Sequence, residues 1–144
     1  MADGPGTHIL LVDDDEIDVI ALTRAFAEVG IDVPLIIARD GEEALGALLE
    51  RGLDAVLMLL DLNMPRMGGF ELLERRASDP RLGAAAVLVM TTSSRRQDIE
   101  RAHALGIVGY VVKATRPGFS RDFAELVRRY LALASLPRAG GRTR

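Results

Sequence analysis

Three consecutive aspartates, Asp13, Asp14 and Asp15, follow a short apolar run at 8–12, and a fourth, Asp61, closes the aliphatic run 57–60. Thr91 and Lys113 end two further apolar runs. Ionised groups are very costly to bury unpaired, so an acid that terminates an apolar strand belongs at the rim of a sheet, where ligands reach it. Carboxylates gathered in so small a volume repel one another unless a cation neutralises them. The all-oxygen character of the set suits Mg²⁺, which prefers octahedral oxygen ligands and keeps several waters. Asp13 or Asp14, together with Asp61, is assigned to that metal, and the backbone carbonyl of Asn63 could add a ligand. Lys113 supplies a second positive charge and Thr91 a hydroxyl donor. A carboxylate nucleophile in such surroundings is suited to taking a phosphoryl group, because that transfer is catalysed mostly by in-line positioning and charge neutralisation. Asp61 would become an acyl phosphate. The chain has no GxxxxGK[ST], and Gly4-Pro5-Gly6 precedes the first strand rather than following it, so the phosphoryl donor must come from outside.

The elements that position these groups alternate in type. Runs at 8–12, 33–38, 54–60, 85–90 and 107–112 read as buried strands, with Pro34 marking the second as an edge strand. Between them lie helical patterns. The first carries Ile17, Ile20, Leu22, Phe26 and Val29, with Asp15 as N-cap and Gly30 as its stop. The second, opened by Asp40-Gly41, carries Ala44, Leu45, Leu48 and Leu49 and is closed by Gly52. Phe70, Leu72, Leu73 and Ala77 mark the third, ended by Ser78-Asp79-Pro80. The fourth, at 95–105, repeats only Ile99, Ala102 and Leu105 and should be weakly anchored. Phe119, Phe123, Leu126, Val127, Tyr130 and Leu131 mark the fifth. Repeated βαβ units give an α/β fold, a flavodoxin-like (βα)5 doubly wound parallel sheet with strand order 2-1-3-4-5, whose ligands bind beyond the carboxyl ends of the strands. Asp61 to Thr91 spans 30 residues and Thr91 to Lys113 spans 22, each about one helix-plus-strand step, so the polar groups converge on one edge.

Length and composition set the frame. A chain of 144 residues predicts one domain with no room for a separate output module. The expected limits are a lead-in at 1–7, a domain at 8–134 and a basic tail at 135–144. Aromatic residues are 4% of the chain, so the core must be aliphatic. Without cysteine there is neither a disulfide framework nor a thiolate metal site, and the N-terminus lacks the pattern of a signal sequence; a cytoplasmic protein is expected. A net charge of −3 with interspersed signs favours neither nucleic acid nor anionic membrane as a partner.

With these residues in hand, the chain resembles the receiver domains of two-component response regulators. The matching pieces are LLVDDD around Asp13 and Asp14, LLDLNMP around Asp61, the MTT that ends strand four at Thr91, and GYVVK from Gly109 to Lys113. The resemblance implies Mg²⁺-dependent phosphotransfer from a phosphohistidine on a sensor histidine kinase to Asp61. It also implies a switch, in which Thr91 turns toward the phosphoryl group and Tyr110 swings inward behind it, reshaping the face made by helix 4, strand 5 and helix 5. Asn63 and Ser93 would flank the site and tune the access of water. The TTS after strand four and the absence of proline after Lys113 resemble single-domain regulators that partner bacteriophytochrome-type kinases and often dimerise. A homodimer through the helix 4/strand 5/helix 5 face is the corresponding expectation, with Leu133 and Leu136 extending the apolar patch.

Three positions depart from the family pattern. Ala114 stands where proline is common, and a non-proline cis bond costs about 3 kcal/mol, so the peptide after Lys113 should be trans. Gly68 replaces a frequent aspartate, and Thr92 a smaller residue beside Asp61. Two other readings use the same residues. Asp13-x-Asp15 also resembles the start of haloacid-dehalogenase-type phosphatases, with Asp13 as nucleophile and Asp15 as general acid/base. A receiver-like binding module that is never phosphorylated is the other. Taken alone, Asp15 is a helix cap, His8 and His103 are structural or exposed, Tyr110 is strand packing, Met58, Met64, Met67 and Met90 are packing or loop residues, and the arginines of the tail are a solvated terminus.

Overall fold

The computed structural model describes residues 6–51, 53 and 55–138. Gly4 and Pro5 of the lead-in, Gly52, Asp54 and the tail from Ala139 lie outside the described residues. Ten elements alternate: β1 (Thr7–Val12), α1 (Glu16–Glu28), β2 (Leu35–Ala38), α2 (Gly41–Glu50), β3 (Ala55–Leu60), α3 (Gly69–Ser78), β4 (Ala86–Thr91), α4 (Arg96–Ala104), β5 (Gly109–Val112) and α5 (Phe119–Leu133). All strand pairs are parallel and the order is β2-β1-β3-β4-β5, the flavodoxin-like arrangement. No helix among the described residues is long and apolar enough to cross a membrane.

Period-two alternation divides the strand side chains between two cores. Leu10, Val12, Met58, Leu60, Val87 and Val89 point to the face covered by α2, α3 and α4, where Leu45, Leu72, Leu73 and Ala102 meet them. Ile9, Leu11, Leu57, Leu59, Leu88 and Met90 point to the other face, against Leu22 and Phe26 of α1 and Phe123 and Val127 of α5. Every residue of β3 and β4 is buried, as expected of central strands in a doubly covered sheet. β5, at the edge, is only half-buried. β2 begins at Leu35 rather than at Val33; Pro34 stays outside the strand, although its carbonyl accepts the Ile9 amide at 2.9 Å. β5 likewise starts two residues later than the apolar run, after the turn at Gly106, whose φ is +88°.

Four helical positions expected in the core are on the surface. In α1 the buried side chains are Val19, Leu22, Ala25 and Phe26, whereas Ile17 is 78% and Ile20 54% exposed. Ile17 and Ile20 precede Val19 and Leu22 by two residues, about 200° around the helix at 3.6 residues per turn, so the two pairs face opposite ways. Leu49 of α2 and Leu126 of α5 are also exposed; Ala47 takes the place expected of Leu49. Small alanines, with little apolar weight in a sequence pattern, define these buried stripes. The weak anchoring expected of α4 is observed: Ala102 is its one buried residue. Polar contacts add to its hold, among them Arg101, stacked 4.1 Å from the Phe70 ring centroid and paired with Glu74 at 2.6 Å, both on α3.

Candidate functional site

Register builds the site. β1 and β3 run in step, Val12 opposite Leu60, so the next residues, Asp13 and Asp61, leave the sheet side by side. The ladder continues past the strand ends, with the Asp61 amide on the Val12 carbonyl at 2.9 Å and the Asp13 amide on the Ala38 carbonyl at 3.0 Å. β4 and β5 do the same one step along: the Lys113 amide donates to the Thr91 carbonyl at 2.7 Å. Asp13, Asp14 and Asp61 each offer a carboxylate oxygen, all within 4.8 Å of one another. Asp14 is exposed, while Asp13 is fully buried and Asp61 is 7% exposed.

The two buried acids are held differently. Asp13 accepts the Asp15 amide at 2.9 Å on one oxygen and the Lys113 ammonium at 2.9 Å on the other. Asp61 accepts the Asn63 amide at 3.3 Å and Lys113 Nζ at 3.5 Å, contacts at the weak end of hydrogen bonding. Burial pushes the Asp13 carboxyl above its ordinary value, against the pull of the Asp15 amide and Lys113. Burial pulls the Lys113 ammonium down, but hydrogen bonds to Asp18 and Asp13 and the charge of Asp61 outweigh it, so its pKa lies above that of an ordinary lysine. Lys113 is therefore a fixed positive charge bridging β5, β1 and β3.

Thr91, the last residue of β4, is fully buried, and its hydroxyl is the one buried side-chain polar atom among the described residues with no hydrogen-bond partner. Buried polar groups are almost always paired, so this hydroxyl stands ready for an acceptor. Behind it, Tyr110 is half-buried and donates its hydroxyl to the Ser93 carbonyl at 2.9 Å. Burial raises the Tyr110 phenol above its ordinary value, partly offset by the bond to Ser93. The Ser93 hydroxyl in turn donates to Asp98 in the first turn of α4 at 2.6 Å. Thr92 is exposed. The peptide after Lys113 is trans, since the described residues contain no cis bond. Gly68 provides α3 with no side-chain cap.

One residue of the site was not anticipated. Asp18 of α1 accepts from Lys113 Nζ at 2.7 Å, the shortest of the three contacts that lysine makes. The available signal was its place three residues beyond the N-cap Asp15, one turn into the helix and on the same side. Asp15 itself caps α1, accepting the Ile17 and Asp18 amides at 2.9 and 3.2 Å. His8 lies at the opposite end of β1, with Nδ1 3.0 Å from the Gly6 carbonyl, and His103 is exposed on α4. Neither approaches the acidic edge.

The β3–α3 loop is tightly folded. A Cβ at Gly69 would lie 2.5 Å from the Asp61 carbonyl oxygen. Arg66 has φ +59°, a left-handed conformation that costs a non-glycine residue about 1–2 kcal/mol.

A doubly wound parallel sheet whose carboxyl edge gathers three acids, a bridging lysine and an unpaired threonine hydroxyl defines the receiver class of signalling domain. The chain belongs to the response regulator receiver domain family, whose model matches residues 9–119. It is similar in sequence to response regulator Rcp1 of Synechocystis sp., 34% identical over 115 residues that cover 76% of this chain and 78% of Rcp1. The Mn²⁺-bound form of Rcp1 superimposes with a TM-score of 0.78 at 29% identity, over 90% of this chain and 98% of that one. The phosphorylated cyanobacterial phytochrome response regulator RcpA superimposes with a TM-score of 0.80, also at 29% identity, over 90% and 97% of the two chains.

Proposed function

We propose that this protein is a response regulator that takes a phosphoryl group onto Asp61 from the phosphohistidine of a sensor kinase, in the cytoplasm, and signals by changing shape and contacting other proteins. The observation that carries the reading is the contrast between the two buried acids. Both oxygens of Asp13 are engaged at 2.9 Å, whereas Asp61, 7% exposed against none for Asp13, is held only at 3.3 and 3.5 Å. A nucleophile must be free to move onto phosphorus. An Asp61 oxygen forms the new O–P bond as the P–N bond of the phosphohistidine breaks, and the imidazole nitrogen leaves with the bonding pair. Lys113 offsets charge on the transferred group, and the Thr91 hydroxyl gains an acceptor in a phosphoryl oxygen. The chain thus assists its own phosphorylation, and later hydrolysis of the acyl phosphate, without being an enzyme acting on a separate substrate.

The acidic edge fits a divalent cation. Its donors are hard oxygens, and the one ammonium pairs with Asp13, Asp18 and Asp61 while Asp14, clustered with Asp13 and Asp61, adds a fourth carboxylate. Asp13, Asp14 and Asp61, with the Asn63 carbonyl, would hold Mg²⁺, which when bound neutralises charge on the phosphoryl oxygens. The haloacid-dehalogenase reading fares worse. It needs Asp13 free to attack and Asp15 free to move protons, yet Asp13 is fully engaged and Asp15 caps a helix.

Partners follow from exposed surface. Ile17 and Ile20 are exposed about one turn apart at the start of α1, the helix capped by Asp15, and offer apolar surface to a helical partner that presents a phosphohistidine. The likeness to RcpA, a phytochrome response regulator, supports a bacteriophytochrome-type kinase. Val108, Val112, Leu126 and Leu133 are exposed on or beside β5 and α5, which supports a homodimer through the α4/β5/α5 face.

The test is incubation with Mg²⁺ and acetyl phosphate, read by intact mass. Wild type and Asp13→Asn gain one phosphoryl group, the latter slowly, and Asp61→Asn gains none. Modification of Asp61→Asn with loss in Asp13→Asn would overturn the assignment. An unmodified wild type that binds Mg²⁺ would favour a binding module. Sedimentation with and without beryllofluoride tests the dimer, and a monomer under both conditions would contradict it.

A further inference from the structure

The loop that carries Asn63 is gripped from a second corner of the fold. Asp40, the residue before α2, has a carboxylate only 1% exposed. One oxygen accepts the Glu43 amide at 2.9 Å; the other accepts Arg66 Nε at 2.7 Å and Arg66 Nη2 as well. Beside it, the Gly41 amide donates to the Met67 carbonyl at 2.9 Å. A Cβ at position 41 would come within 2.5 Å of Met67 Cγ, so only glycine lets the two loops approach this closely. Residues 40 and 41 thus hold residues 66 and 67 pairwise. Arg66 is the one non-glycine residue with positive φ among those described, and such a conformation persists only where its surroundings impose it. At the far end of the loop, the Gly69 amide donates to the Leu62 carbonyl at 3.1 Å, against the backbone of Asp61. Asn63 lies between these two fixed points, with its amide on the Asp61 carboxylate.

We infer that Asp40 and Arg66 form a clamp that positions the 61–69 loop, and with it the oxygens of Asp61 and Asn63 that would meet the cation, although neither clamp residue touches the reacting group. Its consequence for transfer rests on Asp61 being the phosphoacceptor. The geometry of the clamp does not. Partners that orient the ligands of a cation are commonly worth about tenfold or more in its affinity.

Two substitutions separate positioning from folding. Asp40→Asn keeps the N-cap of α2, because asparagine caps as well as aspartate, but removes the charge facing Arg66. Arg66→Gly removes the guanidinium while relieving the positive φ. Both should retain the fold by circular dichroism. They change net charge in opposite directions, so a loss common to both cannot come from the long-range field. In metal-free protein, amide exchange at Asn63 and Met64, followed by NMR, should quicken by about tenfold in each variant, and calorimetry should show Mg²⁺ bound about tenfold more weakly. Arg66→Lys, which restores charge without the planar fork, should recover part of the loss. Exchange and Mg²⁺ affinity matching wild type in both variants would overturn the clamp. If wild type binds Mg²⁺ but takes no phosphoryl group, the reading of Asp61 fails, while the exchange and affinity results still decide the clamp.

Discussion

Tyr110 donates its hydroxyl to the backbone carbonyl of Ser93 at 2.9 Å, joining the edge strand β5 to the loop that follows β4. Because Ser93 is also tied to Asp98, the first turn of α4 is linked through two hydrogen bonds to an aromatic ring near the acidic edge. Tyr110→Phe removes one of these links and little else. It should lower the free energy of unfolding by about 1 kcal/mol in urea titration, the usual net worth of such a bond. Amide exchange in 93–98 should quicken at the same time, and unchanged exchange there would show that the link does not hold the loop.

The unpaired hydroxyl of Thr91 leads to an expectation of opposite sign. Replacing a buried polar group that has no partner by an apolar group of the same shape removes a desolvation cost. Thr91→Val should therefore unfold about 1 kcal/mol less readily than wild type, and it should lack the change in α4 and β5 that the proposed function expects of wild type with beryllofluoride. A destabilised Thr91→Val would mean that the hydroxyl already has a partner.

Lys113 is 11% exposed by its side chain and faces three carboxylates, one of them fully buried. Removing one partner of a buried pair leaves an uncompensated charge, at a cost of about 3 kcal/mol. Lys113→Met should show that loss in metal-free protein. Mg²⁺ should then restore much of it, because a cation replaces the missing positive charge. A deficit equally large at saturating Mg²⁺ would argue against a metal site at this edge.

Asp40 sets a pH dependence. The Glu43 amide, and then Arg66, hold its carboxyl below the ordinary carboxylate range despite its burial. A depressed folded-state pKa gives stability that is complete above the unfolded value, about 3.9, and is lost as pH falls through the folded value. The stability gap between wild type and Asp40→Asn should accordingly be constant from neutral pH down to the unfolded value and shrink below it. A gap that widens on acidification would reverse the assignment.

Much of this was legible in the chain. Strands showed as aliphatic runs that each stop at a polar residue, because a parallel sheet covered on both faces leaves its interior no polar positions, and the same stops marked Asp13, Asp61, Thr91 and Lys113. The surface of α1 was not legible. Ile17 and Ile20 satisfy a helical period as well as Val19 and Leu22 do, and only packing shows which pair faces the sheet. Asp18 was hidden because its partner lies 95 residues away. The clamp at Asp40 and Arg66 was hidden for a similar reason, since it joins two loops whose sequences carry no shared period.

Gly69 fits against the carbonyl oxygen of Asp61 where a Cβ would come within 2.5 Å, and Gly41 fits against Met67 just as closely. At Gly46 and Gly83 the nearest atoms would be 3.9 and 3.8 Å away. In a saturation library of this gene, alanine should be tolerated at 46 and 83 and rejected at 41 and 69. The second pair has no side chain to offer to the proposed phosphotransfer, yet it should prove almost as irreplaceable as Asp61 would be under that proposal. A functional map drawn only from tolerance to substitution would then mistake two steric limits for chemistry.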